Sequence, residues 1–529
     1  RRSALFYGGG ATCGAPPRHF PVSMSRRARV PGRPFMATPP FPLALLAFAI
    51  GCASAPPQHV SGGASTADSP ATPWAPPPSA AAPLSPRERH LARRGAVIPA
   101  EPASHMGALT LADVVDVALG NSPITRTSWS QARAAAADVG SAKGRYLPTL
   151  DLVVAGGPSR AISANPARLP AERTTVTPSL TLQYLLFDFG GRGGAVSAAR
   201  EALFAADFTH NASIQDVVLQ TEQAYFLYQT ANGLLAAAVA TVENARANLA
   251  AAERRHEVGV ATIADILQAR TALAQAQLQR QSADGNRQGS RANLALAMGL
   301  VANATFDVAP DSGAPRLQVV AESVDTIIAV AERSRPDVAA ARAIARSREA
   351  SVRIARSALF PALTVGSTAG RSLSNVEALQ GRTYALTFGV SVPIFSGLAR
   401  QYDVVAARED AAAAASRADQ LRLEAAAQVY TSYFALRTAA QRIATAAELL
   451  TSATQSEEVA RGRYAEGVGS ILDVLTAQNA LSDARAQSVQ ARWTWYSSLA
   501  ELARNAGILS PRGDTPFRFT TDSSGSRTQ

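Results

Sequence analysis

The residues able to do chemistry are few, and none stands where a reaction could use it. Of six histidines, His19, His59, His90 and His105 lie within the first 105 residues; His210 and His256 fall in helical patterns and read as solvated side chains. The two cysteines, Cys13 and Cys52, make no paired-Cys or Cys/His spacing of the kind that holds a metal, and cannot staple 529 residues. The run Gly190-Gly191-Arg192-Gly193-Gly194 is glycine-rich but lacks the lysine of a phosphate loop. It follows a strand pattern and opens a helix, so it reads as a bend. An enzyme is not expected, nor is a cofactor or a bound metal.

Charge points no more strongly to nucleic acid. The formal net charge is +11, but residues 1–52 hold seven arginines and no acidic residue, and Lys143 is the sole lysine. The remaining arginines are scattered singly along helical patterns, without the basic stripe that a nucleic-acid site needs.

The most informative spacing occurs twice. Arg255-His256-Glu257-Val258-Gly259-Val260-Ala261-Thr262-Ile263-Ala264-Asp265 is echoed by Arg463-Tyr464-Ala465-Glu466-Gly467-Val468-Gly469-Ser470-Ile471-Leu472-Asp473. In each, a Gly ends a helical pattern, a Thr or Ser restarts it, and an Asp follows three residues later. That is a helix C-cap, then an N-cap with its acidic partner. Each copy is therefore the tip of a helical hairpin.

The elements around the tips repeat as well. Leu111, Val114, Val115, Ala118 and Leu119 share a helical face, Pro123 interrupts, and helix resumes to Tyr146-Leu147-Pro148. The period then becomes two. Leu150, Leu152 and Val154 alternate with Asp151, Val153 and Ala155; past a polar loop, Leu180, Leu182, Tyr184 and Leu186 alternate with Thr181, Gln183 and Leu185. This is a hairpin with one apolar face, in strands long enough to cross a membrane when tilted. Helical pattern resumes at about Gly191, with Ile214, Val218, Thr221, Tyr225 and Tyr228 stepping like a coiled-coil seam, passes the tip and returns to Gly299. The second copy sits 213 residues on at Pro336 and Pro361 (from Pro123 and Pro148). It sits 208 on at Phe395, Arg400, Gly467, Asp473 and Gly507 (from Phe187, Arg192, Gly259, Asp265 and Gly299). One register held over such a distance marks a duplication. The expected division is leader and signal 1–52, Pro/Ala/Ser-rich tether 53–108, first repeat 109–300, linking segment 301–321, second repeat 322–509 and polar tail 510–529. Four strands cannot close a barrel alone, so the strands must be pooled between copies, the alternative being soluble hairpins packed on helices.

The order of helix, β-hairpin, long helix and Gly tip, given twice, resembles the bacterial outer-membrane efflux proteins of the TolC type. The carrying motifs are Tyr146-Leu147-Pro148, Leu186-Phe187-Asp188-Phe189-Gly190, Val258-Gly259-Val260 with Asp265, and Arg463-Tyr464-Ala465-Glu466-Gly467 with Asp473. The resemblance implies a mainly α fold with a transmembrane β part: a homotrimer whose twelve-stranded outer-membrane barrel continues into a periplasmic α-barrel, with a belt near 301–321 and the tail. It implies a passive duct for small molecules, served by a periplasmic adaptor protein and an inner-membrane, proton-driven pump. Val258, Gly259, Val260, Gly467, Val468 and Gly469 would meet the adaptor. Asp265, Tyr464 and Asp473 would line or latch the periplasmic entrance, although both Asp also read as helix caps. Gly469 stands where relatives carry a latch arginine, and Thr476 where they carry a second acid. A type I secretion duct for polypeptides remains open, as does a non-channel coiled-coil lipoprotein of the envelope.

The leader fits that compartment. With a start at Met24 or Met36, Leu43–Ile50 is the apolar core of a signal peptide, too short to span as a permanent helix. Ala49-Ile50-Gly51-Cys52 resembles a lipoprotein cleavage box, which makes Cys52 the candidate lipidation site; Ala53 after it implies the outer membrane. An ordinary signal peptide with an incidental cysteine stays open.

Overall fold

The computed structural model describes residues 106–160, 172–310, 319–320, 322–510 and 519–520. Cys52, the expected signal, nearly all of the tether and most of the tail lie outside the described residues.

Two series of elements follow one another. The first is α1 (Leu111–Asn121), α2 (Pro123–Gly144), β1 (Thr149–Arg160), β2 (Glu172–Phe187), α3 (Gly191–Glu257) and α4 (Ile263–Ala297). After the two-residue β3 (Val319–Val320) come α5 (Val324–Ser334), α6 (Pro336–Ser357), β4 (Ala362–Ser374), β5 (Gly381–Ser391), α7 (Ala399–Ala465) and α8 (Ile471–Asn505). A last strand, β6 (Phe519–Thr520), pairs antiparallel with β3, so the linking segment and the tail meet.

The long helices α3 and α7 each run 67 residues, roughly 100 Å, without a break. Their partners are relays: a 35-residue return helix (α4 or α8) and, past its end, an 11- and a 22-residue pair. The relay pieces meet where a glycine closes the return helix in the left-handed conformation, Gly299 at φ +69° and Gly507 at φ +73°. A β-carbon on Gly299 would stand 2.8 Å from Asn121 Cβ, and one on Gly507 would stand 2.7 Å from the Arg335 nitrogen. Only glycine allows both the turn and the approach.

Most of the core lies at these joints. Val114, Val117, Tyr225, Phe226, Tyr228, Leu294, Met298 and Trp493 form one cluster; Val115, Val218, Ile327, Val429, Leu436, Trp495 and Leu502 form the other. The stepped seam at Val218, Thr221, Tyr225 and Tyr228 is buried as its spacing predicts. Beyond the joints the hairpins are held by small clusters such as Val242, Ala245 and Ala276.

The four longer strands form one antiparallel sheet in the order β1-β2-β4-β5. Its register sorts the side chains by face: Leu152 pairs with Leu180, Leu180 with Ala369, and Ala369 with Tyr384, while Asp151 pairs with Thr181, Thr181 with Thr368, and Thr368 with Ala385. One face is thus apolar and the other small or polar. The apolar face is bare, and Tyr384 is 90% exposed. β2 slips against β4 between Leu185 and Phe187. There the glycine-rich bend does its work: Arg192 donates to the carbonyls of Leu185 (2.6 Å) and Leu186 (3.0 Å), and its guanidinium lies 4.7 Å from the Tyr146 ring. The second copy departs from the expected match. β5 stops at Ser391, before Pro393, whose ring nitrogen cannot donate to a ladder, so Phe395 lies beyond the strand. Arg400 accordingly donates to the Ala358 carbonyl at the end of α6 rather than to a strand.

Glu222, on α3 beside the buried seam, is 8% exposed, and burial pushes its pKa up to about 7. The unfolded chain ionises this group near 4.5, so its charge opposes folding: stability is full below that pH and falls as pH rises towards 7. Glu222→Gln should therefore stabilise the protein by on the order of 2 kcal/mol at about pH 8 and by much less at about pH 5. Circular-dichroism melts at the two pH values check it; an equal effect at both refutes it.

Candidate functional site

Each tip is built by its own caps. At the first, Gly259 turns the chain at φ +80°, Val260 N–H donates to the Arg255 carbonyl, and Thr262 caps α4. Asp265 completes the cap, its Oδ2 accepting from Thr262 N–H (2.8 Å) while its own N–H donates to Thr262 Oγ1 (3.3 Å). At the second, Gly467 turns at φ +81°, and Ser470 and Asp473 repeat the cap at 3.1 and 3.2 Å. Hydrogen bonds from Ser470 hold the Asp473 carboxyl below its usual range. The turns carry bare apolar side chains: Val258 is 72% exposed, and Val260, Val468, Ile263 and Leu472 are nearly as open.

The two tips are joined within one chain. Arg255, in the last turn of α3, donates from Nη1 to the carbonyls of Tyr464 (2.8 Å) and Ala465 (3.1 Å), the last two residues of α7. A cation there also meets the negative end of the helix dipole. The same guanidinium lies 4.7 Å from the centre of the Tyr464 ring. That ring is 8% exposed and packs with Ile471 and Val474, and burial pushes its hydroxyl pKa up. The hydroxyl has no hydrogen-bond partner among the described residues. Asp265 lies near enough to act on it electrostatically.

The structure thus brings Tyr464 together with Arg255 of the first tip, and keeps Asp265 and Asp473 each on its own cap. Gly469 and Thr476 contribute no charge. His256 stays local, its Nδ1 2.9 Å from the Ala261 carbonyl. Sequence reasoning missed Arg255 as the bridge; the available signal was its place four residues before Gly259, matching Arg463 before Gly467. Among the described residues no three His, Cys, Asp or Glu side chains gather as metal ligands, and no helix is long and apolar enough to cross a membrane.

Removing the bridge should loosen one helix end without unfolding the rest. Arg255→Ala is expected to speed amide exchange in 460–469 by about tenfold, a loss of roughly 1.4 kcal/mol of local stability, with the melting temperature nearly unchanged. Exchange mass spectrometry checks this; unaltered protection there refutes the bridge.

Comparison with known proteins agrees with this architecture. Protein CyaE of Bordetella pertussis is 29% identical over 391 residues, covering 73% of this chain and 82% of CyaE. The toluene efflux pump outer membrane protein TtgI of Pseudomonas putida is 24% identical over 411 residues, covering 75% and 85%. The solved CmeC outer membrane channel of Campylobacter jejuni shares the fold with a TM-score of 0.68 at 20% identity, covering 77% of this chain and 87% of its own. The sequence model described as outer membrane efflux protein matches residues 114–300 and 327–507, one segment in each series of elements, and the chain belongs to that family.

Proposed function

We propose that this protein is the outer-membrane exit duct of a tripartite efflux pump, carrying small molecules passively from a periplasmic adaptor protein and a proton-driven inner-membrane transporter to the outside. One observation carries the reading. A sheet with a bare apolar face and two edges, at β1 and β5, that are unpaired among the described residues is joined to the start of helices roughly 100 Å long. In lipid the edge peptide groups need partners, and further copies of the same sheet supply them. Three copies give twelve strands, an even number within the range of bacterial barrels. The apolar face then meets lipid and the small polar face lines the bore.

The tips support the rest. Val258, Gly259, Val260, Gly467, Val468 and Gly469 form a bare, partly apolar end, suited to the adaptor. Asp265, Tyr464 and Asp473 stand at the entrance, where Tyr464 bridged to Arg255 is a latch and the two Asp keep their helices capped. With Gly469 and Thr476 uncharged, the latch is held by that bridge rather than by a ring of ion pairs. The toluene pump relative favours small apolar cargo. The two repeats are the products of one duplication, and Cys52 carries the lipid anchor.

Purified protein should run as three chains in native mass spectrometry and conduct ions in a planar bilayer; a monomer, or a trimer that does not conduct, overturns the reading. Val258→Asp with Val468→Asp should lower adaptor cross-linking by about tenfold, since charge at a buried contact is costly, while conductance persists. Cys52→Ala should abolish incorporation of labelled palmitate, and unchanged labelling removes the anchor.

A further inference from the structure

The upper helices carry a cluster of arginines that neither the sheet nor the tips use. Its direction can be read from α3. Gly194 and Ala198 face α6: a β-carbon on Gly194 would stand 3.0 Å from Ile354, and Ser347 donates to the Ala198 carbonyl at 2.9 Å. Ala195 turns about 100° to one side, into a cavity that Thr149, Gln183, Thr364 and Thr387 line from the polar face of the sheet. Ser197 and Arg200 turn to the other side. They line a separate groove with Arg346, Arg353 and Arg356 of α6 and Arg408 of α7. On α6 these arginines flank the face that Ser347, Ala350 and Ile354 turn to α3. The groove is therefore on the outside, the same side as the apolar face of the sheet.

Its charge is unbalanced. The groove also holds Glu201 and Glu349, and Glu201 is taken by Arg346 at 2.7 Å. Arg353, Arg356 and Arg408 are exposed and make no ion pair among the described residues. Converging like charges repel unless an anion joins them. Their level is informative. Arg356 lies at the end of α6 and Arg353 one turn below it, while Arg200 and Arg408 lie nine residues into α3 and α7. At 1.5 Å per residue that spans from about 2 to about 14 Å below the strands. Just above sits an exposed aromatic cluster, Phe187 against Phe189 at 4.8 Å and Phe189 stacked on Phe360 at 5.1 Å. Such clusters mark the boundary between hydrocarbon and headgroups.

We propose that Arg353, Arg356 and Arg408, with Arg200 beside them, form a surface site for the phosphates of anionic phospholipid headgroups in the leaflet next to the helices. The site rests on the reading that the sheet lies in a bilayer. It fixes the depth of the protein, since aromatic rings above and guanidinium groups below clamp one interface.

The test uses the full chain reconstituted in mixed phosphatidylglycerol and phosphatidylcholine vesicles, with spin-labelled versions of each lipid reporting preference for the protein surface. Wild type should prefer phosphatidylglycerol, and Arg353→Gln/Arg356→Gln/Arg408→Gln should reduce that preference by about tenfold, with oligomer mass and conductance unchanged. Excess inorganic phosphate should not compete. Equal preference in variant and wild type overturns the site. So does competition by free phosphate, or a change in the ion selectivity of the conductance, which would put the arginines in the bore. Wild type that neither inserts nor conducts would instead overturn the bilayer reading itself.

Discussion

No peptide group can be left unpaired in hydrocarbon, and the architecture of this chain follows from that constraint. A four-stranded sheet with a lipid-compatible face cannot stand by itself, because β1 and β5 each present an open ladder among the described residues. Where the sheet ends the constraint persists for a few residues. The slip between Leu185 and Phe187 frees carbonyls at the boundary, and Arg192 covers them with its fork of donors. A buried arginine is costly unless its donors are used. Here its two Nη donors reach carbonyls, while Nε makes no hydrogen bond among the described residues and is offset by the Asp188 carboxylate at 3.5 Å and by the Tyr146 ring. The bend at Gly190 to Gly194 thus terminates a membrane strand and starts a water-facing helix within one turn.

Below that bend the distribution of large side chains decides what is firm. Aromatic and branched residues crowd where the relay helices meet, and alanine prevails elsewhere along the hairpins. Alanine allows helices to pack closely, but each buried methyl contributes under about 1 kcal/mol. The middle is consequently the stable part, and the tips rely on caps and on Arg255. Held by caps and a bridge rather than by packed side chains, the tips form the weaker end of the molecule.

Period and spacing made much of this legible. Alternation at Leu150, Leu152 and Val154 and at Leu180 and Leu182 located the sheet and its apolar face, since a side-chain period of two leaves no other reading. The steps Val218, Thr221, Tyr225 and Tyr228 located the seam. Thr262 with Asp265 and Ser470 with Asp473 located both caps. What escaped were contacts with no period. Arg255 meets Tyr464 across 209 residues, and only the fold brings them together. Arg192 and Arg400 share an offset but not a partner, because one proline shortens β5 and moves the end of the sheet away from the second arginine. The burial of Glu222 escaped although it lies four residues after Val218 and three before Tyr225, because an acidic side chain at the edge of a seam reads as solvated.

The nose-to-tail joints at Gly299 and Gly507 have a mechanical consequence. Each long helix passes its joint as an unbroken beam, while the relay beside it is cut, so the joint is a fulcrum with stiffness on one side only. Each return helix below it is 35 residues, a lever arm of roughly 50 Å. A bend of about five degrees below the joint, with long helix and return helix moving together because small clusters such as Ala252, Ile266 and Ala269 tie them, carries the tip through about 4 Å by the same helix geometry. The far end of each hairpin can therefore shift by the width of a side chain while the middle stays packed.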